Sequence, residues 1–268
     1  MINWDQKTIR DLERIRQIKP LIHNLTNFVV MNSTANVILA TGASPVMSHA
    51  REEVEEMASK ANAVVLNIGT LEPDWIESMI LAGKTANKYG IPVIFDPVGV
   101  GATRYRYESA HKIIERVNCD IIRGNASEVL SLAGFNVAIK GVDSLVSMEN
   151  LTAKILEISQ KFGTVIAVTG VEDLVCDGNR CLGIRGGDPI FKKVTGTGCA
   201  ASAICACFAA VNENAVEASA EALAFYGIAG KEAAIQAEGP GTFQVKLIDV
   251  LATLDFKTIK NSVMVREI

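Results

Sequence analysis

The chain has 268 residues, of which 49% are hydrophobic and 21% charged, enough to bury a sizeable core. Its 26 Lys and Arg against 30 Asp and Glu leave a formal net charge of -4. No overall field therefore draws it to phosphate backbones or anionic lipid, and a small-molecule ligand is expected, with no nucleic acid or membrane as partner.

The opening segment, MINWDQKTIRDLERIRQIK, is charged throughout and lacks an apolar stretch followed by a cleavage site, so it does not read as a signal peptide, and a cytoplasmic location is expected. A strand is predicted over Pro20–Leu25, a helix over Arg51–Lys60, a strand over Ala63–Ile68, a helix over Pro73–Tyr89 and a strand over Pro92–Phe95. Then follow a strand over Asp120–Ile122, helices over Ser127–Ala133 and Leu151–Phe162, and a strand over Thr164–Val168. The strands are short runs of valine and isoleucine ending in Gly, Asn or Asp. The helices carry apolar residues at three- and four-residue spacing with charges opposite.

A hairpin over Asp173–Ile184, turning at Asp177-Gly178-Asn179, is expected to form the mixed edge of the sheet. From Ala200 to Leu254 alanine and other helix formers dominate, broken at Glu238-Gly239-Pro240-Gly241. The longest apolar run, around Cys199 to Val211, falls short of the ~20 residues that span a bilayer. The pattern is α/β with a mostly parallel sheet, and no linker or repeat divides residues 1–268, so one domain is expected. The six cysteines form no CxxC pair and the three histidines are scattered, so no zinc signature emerges; reduced thiols, five of them acting as small core residues, are expected.

In open α/β sheets, ligands bind beyond the carboxyl ends of the strands, and four such ends carry chemistry. Val194-Thr195-Gly196-Thr197-Gly198-Cys199 is a glycine-rich turn running into an alanine-rich helix; its free N–H groups and the helix dipole suit a phosphate, although a plain glycine loop has the same look. Arg123-Gly124-Asn125-Ala126-Ser127-Glu128 follows a strand. There an arginine can hold phosphate and a carboxylate can hold Mg²⁺, while Asn125 and Glu128 equally suit a helix capping box. Asp96, expected at the sheet's edge before Pro97-Val98-Gly99, suits a metal or phosphate role or simply organises the turn. Thr169-Gly170 offers a hydroxyl and flexible backbone to a nucleotide.

Together these strand ends resemble the ribokinase-like kinases: Asn125-x-x-Glu128 matches their NxxE motif and Gly196-Thr197-Gly198 their anion-hole turn. Where most of that superfamily has a catalytic aspartate after the turn, this chain has Cys199. With Pro20-Leu21-Ile22-His23-Asn24-Leu25-Thr26-Asn27, Gly42-Ala43-Ser44-Pro45-Val46-Met47 and Asp96-Pro97-Val98-Gly99-Val100-Gly101-Ala102, that cysteine makes nearly the whole chain similar to the hydroxyethylthiazole kinase family.

The resemblance implies a ribokinase-like three-layer α/β/α fold and transfer of the ATP γ-phosphoryl group, with Mg²⁺, to the hydroxyl of 4-methyl-5-(2-hydroxyethyl)thiazole in thiamine synthesis. It implies ATP contacts at Arg123, Thr169 and Asn125, thiazole contacts at Met47, Gly196 and Asn27, a metal–phosphate role for Glu128 and Asp96, and Cys199 as base or as orienter of the hydroxyl. It also implies a homotrimer with sites between subunits, Asn27 and Met47 reaching a neighbour's site. A helix N-terminus lowers a thiol's pKa, so some thiolate at Cys199 is expected. Two alternatives remain: a kinase of another hydroxymethyl heterocycle, a pyrimidine or pyridoxal, and a nucleotide-dependent dehydratase of hydrated NAD(P)H.

Overall fold

The computed structural model describes residues 2–135, 148–260 and 262–268. In chain order its elements are α1 (Trp4–Ile18), β1 (Leu21–Leu25), α2 (Met31–Thr41), β2 (Ser44–Val46), α3 (Val54–Lys60), β3 (Ala63–Asn67), α4 (Pro73–Tyr89), β4 (Val93–Asp96), α5 (Arg104–Ile114), β5 (Ile121–Asn125) and α6 (Ala126–Leu132). They continue with α7 (Met148–Phe162), β6 (Val165–Thr169), β7 (Asp173–Cys176), β8 (Cys181–Arg185), a 3₁₀ turn (Pro189–Lys193), α8 (Thr197–Ala209), α9 (Ala215–Gln236), α10 (Pro240–Thr253), α11 (Phe256–Lys260) and β9 (Met264–Glu267).

The strands form one nine-stranded sheet in the order β2-β1-β3-β4-β5-β6-β7-β8-β9. The six from β2 to β6 run parallel and the last three pair antiparallel. Side chains alternate between faces along a strand, and here both faces are apolar. Val65, Ile94, Ile121 and Ala167 point to one core with α1, α2, α8, α9 and α10. Val64, Phe95, Ile122 and Val168 point to the other with α3, α4, α6 and α7. The result is a three-layer α/β/α molecule, as expected.

The alanines after position 197 have a physical reason. Every residue from Ala200 to Ala209 in α8 is buried, with sheet on one side and α2 and α9 on the other, so the helix is apolar all round and its small side chains let neighbours approach closely.

Three expectations change. The hairpin of β7 and β8 is not the edge, because β9 adds outside it. The helix expected from Arg51 begins at Val54. Cys176 and Cys181 are not free thiols: the β7–β8 register sets them directly opposite each other and they are joined as a disulfide, while Cys119, Cys199, Cys205 and Cys207 are free. Among the described residues no helix is long and apolar enough to cross a membrane.

Candidate active site

Parallel pairing aligns the carboxyl ends of the central strands, and the register sets Asn67 of β3 beside Asp96 of β4 and Asn125 of β5 beside Thr169 of β6. Asp96 therefore lies in the middle of the sheet, not at its edge as the sequence suggested, and is fully buried. Its Oδ2 accepts hydrogen bonds from Asn67 Nδ2 at 2.8 Å and Ser202 Oγ at 2.7 Å, with Arg123 Nη1 at 3.8 Å. Burial pushes the Asp96 carboxyl up to about 6, with the charge of Glu128 adding to it and Arg123, Ser202 and Asn67 pulling the other way.

Arg123 is buried too, and donates from Nη2 to Thr169 Oγ1. Burial works against its charge, but Asp96 and Glu128 outweigh that and hold the guanidinium more firmly protonated than usual. Asn125 and Glu128 form the complete capping box of α6: Glu128 N–H donates to Asn125 Oδ1 and Asn125 N–H to Glu128 Oε2, each at 2.9 Å. The other carboxylate oxygen accepts the Gly99 N–H at 2.9 Å, so capping does not remove these residues from the site.

The glycine turn delivers the start of α8. Gly196 is its N-cap, at φ 83°, with no side chain capping the first turn, so backbone N–H groups there remain for an anion. A Cβ at Gly196 would meet Val30 Cγ1 at 2.6 Å, and one at Gly198 would meet Arg123 Nη1 at 2.9 Å; both glycines are dictated by close approach.

Cys199 follows, with Asn27 Nδ2 at 3.5 Å from its sulfur. Asn27 thus reaches the cysteine of its own chain. Burial and the Asp96 charge push the Cys199 thiol up to about 11, the reverse of the lowering expected from the helix terminus alone, because desolvation of a thiolate outweighs the dipole here.

Two cavities flank this cluster. The larger, about 810 Å³, is bordered by Thr169, Gly170, Asp173, Pro189, Tyr226 and Gly101, among others. The smaller, about 310 Å³, is bordered by Asn27, Val30, Asp96, Gly196 and Cys199. Arg123, Asn125, Glu128 and Gly198 border both. Met47 borders neither; it follows the edge strand β2 and packs, partly buried, against the α1–α2 side of the core. Asn67, Ser202, Asp173 and Tyr226 were missed by sequence reasoning. Asn67 had a signal, being the polar residue ending a buried apolar strand; Ser202 and Tyr226 lie inside apolar helices and had none.

A family model described as the Hydroxyethylthiazole kinase family matches residues 12–257. The chain belongs to that family. It is 48% identical over 265 residues to a hydroxyethylthiazole kinase of Moorella thermoacetica, covering 99% of each chain. The solved structure of hydroxyethylthiazole kinase protein from Pyrococcus horikoshii OT3 superposes with a TM-score of 0.91 at 41% identity, covering 98% of this chain and 99% of that one. A ribokinase-like superfamily protein from Enterococcus faecalis V583 matches with a TM-score of 0.63 at 16% identity, over 89% of this chain and 86% of that one, a likeness of fold. The ribokinase-like fold expected from the motifs is thus the fold of the molecule.

Proposed function

We propose that this chain, one domain over residues 1–268, transfers the γ-phosphoryl group of ATP to the hydroxyl of 4-methyl-5-(2-hydroxyethyl)thiazole, as a cytoplasmic enzyme of thiamine synthesis or salvage. The observation that carries this reading is the common wall of the two cavities. ATP fills the larger, with Arg123, Thr169 and Asn125 on its phosphates and the chain of phosphates ending at Gly198 and the open N-terminus of α8. The alcohol fills the smaller, beside Asn27, Gly196 and Cys199. Arg123, Asn125, Glu128 and Gly198 border both spaces, which is what in-line transfer between two separately bound reactants requires.

Phosphoryl transfer asks for alignment and charge stabilisation more than for a strong base. Arg123, kept protonated, and the α8 N–H groups supply charge stabilisation at the wall. Cys199, a neutral thiol at pH 7, orients the acceptor hydroxyl instead of deprotonating it.

A Mg²⁺ site is part of the proposal, and the residues fit it. Asp96 Oδ1 is buried beside the smaller cavity without a hydrogen-bond partner among the described residues, and each Glu128 oxygen takes one backbone N–H and keeps acceptor capacity. Such a pair suits an ion held mostly through water and phosphates. When bound, Mg²⁺ would neutralise charge on the β- and γ-phosphates.

Met47 lines neither cavity and lies by the edge strand, so its proposed contact with the thiazole is made in a neighbour's site, within a homotrimer. A coupled assay of ADP release with Mg-ATP tests the reading: thiazole-dependent release is expected, and its absence would sink it.

A further inference from the structure

Asn67 ends β3 with 1% of its surface exposed, between two residues given roles above. It is used at both ends of its amide. Nδ2 donates to Asp96 Oδ2 at 2.8 Å, while Oδ1 accepts from Asn27 Nδ2 at 2.8 Å and from the Gly69 N–H at 3.0 Å. Asp96 Oδ2 is already an acceptor for the Ser202 hydroxyl, so the end of Asn67 that faces it must be the NH₂ end, and its oxygen must then face Asn27.

That choice propagates. Asn27 has to offer its nitrogen to Asn67; the same nitrogen lies 3.5 Å from Cys199 Sγ, and Asn27 Oδ1 is held by the Val29 N–H at 3.1 Å. A reversed Asn67 would set oxygen against carboxylate, NH₂ against NH₂ and NH₂ against the Gly69 N–H in a buried site, three unpaired contacts at once. The Asn27 amide also packs directly against Gly69, where an added Cβ would fall 2.3 Å from its Nδ2, so residue 69 has to stay without a side chain for Asn27 to sit there.

We propose that Asn67 is a positioning residue for the phosphoryl transfer: through its two-ended hydrogen bonding it fixes the direction in which Asn27 presents its amide nitrogen to Cys199 and to the acceptor alcohol. This rests on the reading that hydroxyethylthiazole is the acceptor. The chain of contacts runs from Ser202 in α8 through Asp96, Asn67 and Asn27 back to Cys199 in α8, so the helix start and three strand ends are set by one another.

The test is a double-mutant cycle of Asn67→Leu, which keeps the shape without the hydrogen bonds, and Asn27→Ala, reading kcat and both KM values. Asn67→Leu is expected to lower kcat about 10- to 100-fold, with the KM for ATP within about twofold. In the Asn27→Ala background the same change is expected to cost less than in the wild type, because the share carried by Asn27 is gone while the contacts of Asn67 with Asp96 and Cys199 remain. Losses that multiply, or an Asn67→Leu enzyme with normal kcat, would overturn the inference. If melting curves show that Asn67→Leu does not fold, Asn67→Ala, which removes both hydrogen bonds without placing a branched apolar group against Asp96, runs the same cycle with the same criteria. No thiazole turnover by the wild type overturns both readings; turnover with multiplying losses overturns this one alone.

Discussion

Asn27 directs its amide nitrogen at the sulfur of Cys199 from 3.5 Å, and that donor does not suffice to ionise the thiol. Burial and Asp96 hold it up to about 11, so at pH 8 roughly one molecule in a thousand carries the thiolate. Alkylation of Cys199 by iodoacetamide, followed on its peptide, is expected to quicken about tenfold per pH unit from 7 to 10. A plateau near pH 8.5 would contradict this. The kcat/KM profile of Cys199→Ser is expected to keep the wild-type basic limb, since residue 199 is not the group that titrates.

The two turn glycines separate strain from function. Gly196→Ala places a side chain at φ 83° and against Val30, which costs about 1–3 kcal/mol and is expected to lower Tm by several degrees. Gly198→Ala sits at an ordinary helical position but pushes on the Arg123 guanidinium. Its expected signature is a raised KM for ATP with Tm little changed.

Among residues that line neither cavity, Asn212 Nδ2 bridges Asp11 Oδ2 at 2.8 Å and Glu221 Oε1 at 3.2 Å. Glu221 is fully buried, and burial, with Asp11 next to it, pushes its carboxyl up to about 9. A raised carboxyl favours the fold while protonated: its contribution is complete below the unfolded value, 4.5, and is lost as pH rises towards 9. Stability is therefore expected to fall between pH 5 and 9 through this group. Glu221→Gln, neutral throughout, should flatten the dependence of Tm on pH; an equally steep curve would exclude the group as its source.

The Cys176–Cys181 bridge predicts a thiol count. Protein unfolded without reductant is expected to take up four alkyl groups by mass, one at each of the free cysteines, and six after dithiothreitol. Six in both samples would show the pair open. The loop it closes is short, so reduction is expected to cost about 2 kcal/mol.

Asp96→Asn keeps the shape of the side chain and leaves Arg123 without its buried partner charge. A fall in kcat of about 100-fold or more is expected, together with a lower Tm. Wild-type kcat in this variant would remove Asp96 from the proposed metal and phosphate region.

The parallel strands were readable because both their faces are buried, which writes them as unbroken Val and Ile runs; β3, β4 and β6 fall within a residue or two of their expected limits. The edges were not readable. β2 is three half-buried residues containing a proline, and β9 is mostly exposed, so neither carries a pattern. At the site, glycine turns and the capping box are local signals, and they marked Arg123, Asn125, Glu128, Gly196 and Cys199, all of which border the smaller cavity. Asn67 matters through partners 29 and 40 positions away and Ser202 through one 106 positions away, relations that the fold creates and local sequence does not record. The direction of the Cys199 shift was misread for a similar reason: the dipole is visible in the sequence, whereas the burial comes from segments that fold over it.

Two chambers that meet at Arg123, Asn125, Glu128 and Gly198 also bear on the kinetics. On the proposed function nucleotide and alcohol occupy adjoining spaces that share one wall, so both must be present together for a phosphoryl group to pass between them. Initial-rate lines at several fixed alcohol concentrations are therefore expected to intersect, not to run parallel.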